Sequence, residues 1–188
     1  PEGTNYNVLG RLPACWESYT TSSVGPHNAT PGSSWVHGGT QSLSFNSQSG
    51  TDTYYAILPE FSNPFNELQI SFWLKCGDGQ LQLGYLTAED EGNCNTFTAI
   101  ADFEGPYYAW TQHITYLLNM PEAAHRLAFK FSESDMGGFI DDVEVSICTL
   151  DCFPVGNLSV EGLSSTTAYL SWALIDNSQT AWNVQLAT

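Results

Sequence analysis

The sequence predicts an all-β protein: a sandwich or barrel of about nine strands, followed by the first strands of a second β-domain. Three observations carry that prediction. Residues 67–75 alternate without a break, with Leu68, Ile70, Phe72 and Leu74 on one side and Gln69, Ser71, Trp73 and Lys75 on the other. That is the period of a half-buried strand. Segments of the same kind recur between turns rich in Gly, Pro, Asn and Asp, the residues that punctuate short strands. Hydrophobic residues make up 42% of the 188 residues and aromatics 13%, ample for a core and weighted toward side chains that strands favour.

Taken in order, residues 1–11 are polar with Gly punctuation and read as a loose arm. Residues 12–148 form the first domain. A short strand covers 15–19, and 20–40 is a long Ser/Thr/Gly/Pro-rich loop; loops of that length often carry function. Strands follow over 41–46, 53–58, 67–75, 80–86, 97–103, 110–118, 126–131 and 139–147. Cys76-Gly77-Asp78-Gly79 suits a hairpin turn, because Asp-Gly tolerates positive φ. Residues 120–124 could make one helical turn, with Pro121 at its first position. Residues 149–153 are a hinge, and the pattern restarts over 154–188 with Pro154, an alternating segment around Leu158 and Val160, a strand over 168–172 and a third over 182–186. Three strands bury too little surface to stand alone. The remainder of that domain is expected elsewhere in the chain, or else these strands lean on the first domain. The start at Pro1-Glu2 reads as a cut end.

Charge narrows the partners. Four basic residues oppose 20 acidic ones, for a net charge of −16. Nucleic acids and anionic membranes need Lys and Arg to displace counterions, so neither fits. Neutral glycans, cations or simple solubility in a crowded exterior fit this charge, and the partner expected is a glycan or a surface protein. No apolar run reaches the roughly 18–20 residues that cross a membrane. Five cysteines (Cys15, Cys76, Cys94, Cys148 and Cys152) contain no C-x-x-C pair, which favours disulfides in an exported protein over a metal thiolate site. A Cys76–Cys94 bridge would close a loop of about 18 residues and stabilise by roughly 3 kcal/mol in the chain-entropy account. Cys15 is expected to pair with Cys148 or Cys152.

Candidate chemistry is sparse. Asp141-Asp142 interrupts an apolar strand, and the two carboxylates point to opposite faces. They bind a cation or simply solvate a strand end. Glu89-Asp90-Glu91-Gly92-Asn93 lacks the order of a calcium loop and reads as a solvated acidic loop. Trp35, Tyr54, Trp73, Tyr107 and Tyr108 are candidates for stacking against a sugar ring, whose apolar face an aromatic side chain can cover. Trp110 is assigned to the core. His37 lies in a Gly-flanked loop and reads as a hydrogen-bonding residue. No G-x-S-x-G, H-E-x-x-H or phosphate loop is present, so an enzyme is not expected.

Leu12-Pro13-Ala14-Cys15-Trp16, residues 35–45 (WVHGGTQSLSF), residues 56–61 (AILPEF), residues 68–74 (LQISFWL) and Ile140-Asp141-Asp142-Val143, in this order, resemble the jelly-roll modules called MAM-like, cleaved-adhesin or galactose-binding-like. These occur in secreted and surface proteins of Gram-negative anaerobes. Residues 153–188 resemble the first part of a fibronectin type III domain, an immunoglobulin-like sandwich. The resemblance implies a jelly-roll β-sandwich followed by an incomplete second sandwich. It also implies a structural Ca²⁺ with Asp142 as its first ligand and Asp141 as its second. Finally, it implies a non-catalytic extracellular binding or adhesin module, carbohydrate- or host-protein-directed, with further domains in its own chain and a place on the cell surface or outer-membrane exterior. The alternative is a structural spacer, or an accessory module of a secreted hydrolase.

Overall fold

A computed structural model describes residues 4–5, 12–21, 27–28, 35–45, 53–76, 80–106, 108–132, 138–149, 155–174, 180–182 and 184. The strands are β1 (Thr4–Asn5), β2 (Glu17–Thr20), β3 (His27–Asn28), β4 (Leu43–Phe45), β5 (Thr53–Ile57), β6 (Leu68–Cys76), β7 (Gln80–Thr87), β8 (Thr98–Phe103), β9 (Thr111–Tyr116), β10 (Ala124–Ser132), β11 (Gly138–Ile147), β12 (Gly156–Glu161) and β13 (Tyr169–Ala173). Two antiparallel sheets form the jelly-roll β-sandwich. One has the order β1-β2-β5-β10-β7-β8 and the other β3-β4-β11-β6-β9.

The alternation in β6 sets the layers. Leu68, Ile70, Phe72 and Leu74 are buried between the sheets, where they meet Phe45, Leu81, Leu83, Leu127, Phe129 and Phe131. Burial of this kind contributes about 1.5–3 kcal/mol per large apolar side chain. A smaller cluster of Ile57, Leu86, Cys94 and Ala128, with Tyr19, Tyr55 and Phe97 against it, covers the outer face of the six-stranded sheet. Tyr55 is there driven up to about 12, first by burial and then by Cys94, Tyr19 and Asp90 beside it. Asp90 organises the loop over this cluster. Its carboxylate accepts the backbone N–H groups of Gly92, Cys94 and Thr96 and the Thr96 hydroxyl. Burial acts to raise the Asp90 pKa, but the hydrogen bonds from Thr96, Cys94 and Gly92 prevail and hold it below the usual carboxylate value. What reads in sequence as a solvated acidic loop is therefore tied together by one of its own acids.

Several expectations change. Thr4–Asn5 is not loose; it pairs with Thr20 and Tyr19 at the sheet edge. The helical turn expected at 120–124 is a pair of reverse turns, closed by Met120 N–H to Leu117 O and Ala124 N–H to Pro121 O. A 3-10 turn lies instead at Phe65–Glu67, after Pro64. Cys76 and Cys94 are free thiols. They are successive cysteines in the sequence, but Cys76 lies in the core between the sheets while Cys94 lies in the cluster on the far side of the six-stranded sheet. Cys15 and Cys148 are also unbridged, and Cys152 lies outside the described residues. Burial, then the Asp90 charge, pushes the Cys94 thiol up to about 12, which keeps it protonated and unreactive. In native protein an alkylating reagent is expected to modify Cys15 and to reach Cys76 and Cys94 only after unfolding. A mass spectrum showing a Cys76–Cys94 bridge would overturn this arrangement.

The C-terminal residues form a separate two-stranded sheet, β12 with β13. Alternation gives it one polar face, where the Ser159 and Ser171 hydroxyls meet at 2.6 Å. The other face is apolar, with Leu158 61% and Val160 56% exposed. Trp172 meets Trp182 edge-on at 5.8 Å. The third strand expected over 182–186 is absent at Trp182 and Val184, the residues described there.

Candidate functional site

The residues that sequence and structure bring together lie on the outer face of the five-stranded sheet. Register places them in rows. Gln112 pairs with Trp73, and Trp73 with Asp141. Ile114 pairs with Ser71, and Ser71 with Glu144. Tyr116 pairs with Gln69, and Gln69 with Ser146. Successive rows on one face are about 7 Å apart. Gln112 and Glu144 are exposed, Ile114 is 53% exposed, and Ser71, Gln69, Tyr116 and Ser146 are half-buried. Gln69 donates to the Ser146 hydroxyl at 3.3 Å.

The segment 35–42 straps over one end of this strip. Trp35 stacks on Phe139 at 4.9 Å, and the Ser42 hydroxyl donates to the Trp35 carbonyl. The His37 ring stacks on Trp73 at 3.8 Å and meets Trp110 edge-on at 5.7 Å. Lys75 completes the cluster, its ammonium 4.5 Å from the Trp35 ring centre and 6.0 Å from that of Trp110. Such cation–π contacts gain strength when desolvated, and Lys75 is buried.

Asp141 and Asp142 hold the strap down. Asp141, 8% exposed, accepts the His37 N–H at 2.7 Å and the Gly38 N–H at 3.1 Å on Oδ2, and the Asp142 N–H at 2.8 Å on Oδ1. Asp142 Oδ2 lies 2.7 Å from His37 Nδ1. The β11–β6 register shifts between Asp141 and Glu144, and Asp142 takes φ +48. This bulge turns Asp142 out of strand phase and toward His37. Gly38 permits the close approach: a Cβ there would stand 2.5 Å and 2.6 Å from the two Asp142 carboxylate oxygens and displace that side chain from His37.

This arrangement also tests the calcium expectation. Calcium takes six to eight oxygens at about 2.3–2.6 Å. Both Asp141 oxygens face N–H groups, which repel a cation, and Asp142 faces an imidazole. Among the described residues no group of three His, Cys, Asp or Glu side chains is gathered for a metal. The pair as it stands does not fit the ion. Adding a chelator is expected to leave the melting temperature unchanged. A fall that calcium reverses, and that Asp142→Asn abolishes, would return the ion to this pair.

The structure sorts the other candidates as follows. Trp35 and Trp73 lie in the cluster, half-buried. Tyr108, 86% exposed, sits in the segment leading to Trp110. Tyr107 lies outside the described residues. Tyr54 is 0% exposed, pairs with Phe131 and belongs to the core, so it cannot stack on a ligand. Trp110 moves the other way: its ring lies against His37 and Lys75 on the outer face, not in the core. His37 has the hydrogen-bonding role expected of it. Its partner is 105 residues away, a distance at which sequence gives no signal. Glu144 and Gln112 were missed; both sit at polar positions of alternating strands, which marks a wet face without marking a ligand.

Fold and site together define a jelly-roll β-sandwich module with an aromatic and polar strip on one sheet. No protein-family model matches the chain, and no curated protein is similar in sequence. Solved structures are similar in fold. The K1 cleaved adhesin domain of Lys-gingipain from Porphyromonas gingivalis W83 superposes with a TM-score of 0.56 at 17% identity, over 78% of this chain and 98% of that one. TmCBM61 in complex with beta-1,4-galactotriose superposes with a TM-score of 0.52 at 12% identity, over 71% of this chain and 89% of that one.

Proposed function

We propose that this chain is a non-catalytic, extracellular carbohydrate-binding module, and that a neutral glycan lies along the outer face of the five-stranded sheet. One observation carries the reading. The Trp73–His37–Trp110 cluster is fixed before any ligand arrives, and it adjoins open rows of amide, hydroxyl and carboxylate side chains. Aromatic faces cover the apolar side of a sugar, and the polar groups pair its hydroxyls. Rings already held in place lose little freedom on binding. Glu144 and Asp142 on this face, with a net charge of −16, disfavour acidic sugars. The galactotriose complex of TmCBM61 and the adhesin domain of Lys-gingipain support a binding role for this kind of fold.

Isothermal titration against neutral hexasaccharides built on β-1,4-glucan, β-1,4-xylan and β-1,4-galactan tests the reading. Trp110→Ala is expected to weaken the best-bound one at least about tenfold, which is about 1.4 kcal/mol. Binding untouched by that substitution would remove the strip as the site. A second reading, a structural spacer, draws on the exposed apolar face of β12 and β13, which suits contact with another folded unit. It gains if no saccharide binds.

A further inference from the structure

The outer-face strip does not simply run out at its far end. Its last row is Tyr116–Gln69–Ser146, and the chain next to two of these residues runs into the lining of a groove of about 620 Å³. Leu118 in the groove wall is two residues beyond Tyr116, and Asn66 is three before Gln69. The volume falls in the range of about 300–1,000 Å³ in which proteins hold small ligands.

We propose that this groove is a terminal subsite, which takes the end of the neutral glycan whose chain lies on the strip. The inference rests on the strip being the glycan site. Two aromatic rings lie in the groove's lining. Phe61 and Phe65 meet edge-on at 6.3 Å and both pack against the main core. Phe65 opens the 3-10 turn that Glu67 N–H closes on Pro64 O. The rim is polar: Asn63, Asn66, Glu122 and His125. Asn66 and Glu122 are exposed on this rim, so an amide and a carboxylate face the groove. His125 is oriented by Glu60, its Nε2 3.2 Å from Glu60 Oε1.

The donors and acceptors decide the ligand class. No Lys or Arg lines the groove, so a uronic acid or a sulfated end lacks a counter-charge and faces Glu122. A basic peptide would meet one acidic side chain in the lining, Glu122, and Glu60 nearby is engaged by His125. Asn66, the Ser62–Asn63 pair (Ser62 hydroxyl to Asn63 Oδ1 at 3.4 Å) and the Glu122 carboxylate, beside aromatic rings, match a neutral sugar. A subsite for the chain end also changes what the module reads, because a glycan chain offers few ends, however long it is.

The experiment uses the hexasaccharide found best above and its parent polysaccharide. Glu122→Gln and Asn66→Ala, both on exposed rim residues, are expected to weaken the hexasaccharide at least about tenfold with the melting temperature unchanged. Titration of the polysaccharide is expected to saturate at one module per chain end, whatever the chain length. Wild-type affinity in both rim variants, or a number of bound modules that grows with length, overturns the terminal subsite while leaving the strip intact. No saccharide binding by the wild type overturns both. Binding of a fluorescein-labelled trilysine that Glu122→Gln abolishes assigns the groove to basic peptides and sinks the sugar assignment.

Discussion

Replacing Asp141 by Ala is expected to destabilise the protein by about 3–5 kcal/mol, read as a lower urea midpoint at an unchanged m-value. The carboxylate serves three backbone donors, from His37, Gly38 and Asp142. Hydrogen bonds to a charged acceptor contribute about 1.5–3 kcal/mol each, and bonds to one residue are not additive. Asp141→Asn is expected to cost nearly as much. The donors approach both oxygens, so whichever is replaced, an NH₂ group then faces an N–H. With the strap released, the His37 ring leaves Trp73, and tryptophan fluorescence should change before the chain unfolds. A loss under about 1 kcal/mol would show that the strap holds without Asp141.

Phe72→Ala is expected to cost about 3–5 kcal/mol and to alter the acid limb of stability. Phe72 is fully buried and meets Phe129 at 4.9 Å, Phe103 at 5.0 Å and His113 at 5.5 Å. His113 Nε2 is buried without a hydrogen-bond partner, and burial lowers the His113 pKa from 6.5. The unfolded chain therefore takes up this proton first. Stability from this group is complete above about pH 6.5 and falls as pH drops toward the lowered folded value. In Phe72→Ala the cavity admits water to the imidazole, its pKa returns toward 6.5, and the acid slope shrinks. His113→Phe should flatten the slope as well, because nothing is left there to titrate. Acid titration of the folding free energy in the three proteins decides; equal slopes would remove His113 as the cause.

What the sequence revealed depended on whether a strand had a wet side. The β6 segment alternates because its outer face is partly open, so its phase and boundaries were legible to within a residue. Tyr54 and Tyr55 were ambiguous for the opposite reason. The outer face of the six-stranded sheet is itself covered by Cys94 and Phe97, so both faces of β5 are apolar and no phase shows. Trp110, just before β9, has no alternation to read, and its size suggested the core. The Asp141–Asp142 step was visible as an anomaly in an apolar strand. Its partners, His37 and Gly38, are more than 100 residues away, and a fold is needed to see that these acids hold a loop.

The bulge at Asp142 has an effect beyond the strap. β4 is only three residues long and pairs with β11 through Ile140. Past that point the side of β11 away from β6 has no partner strand among the described residues. A flat, regular strand so placed would template the addition of a strand from another molecule. The left-handed residue and the register shift spoil that template where it begins, and Asp142 and Glu144 add like charges that repel an identical edge. One left-handed aspartate thus shapes the outer face of the five-stranded sheet and also makes this edge a poor template for an added strand.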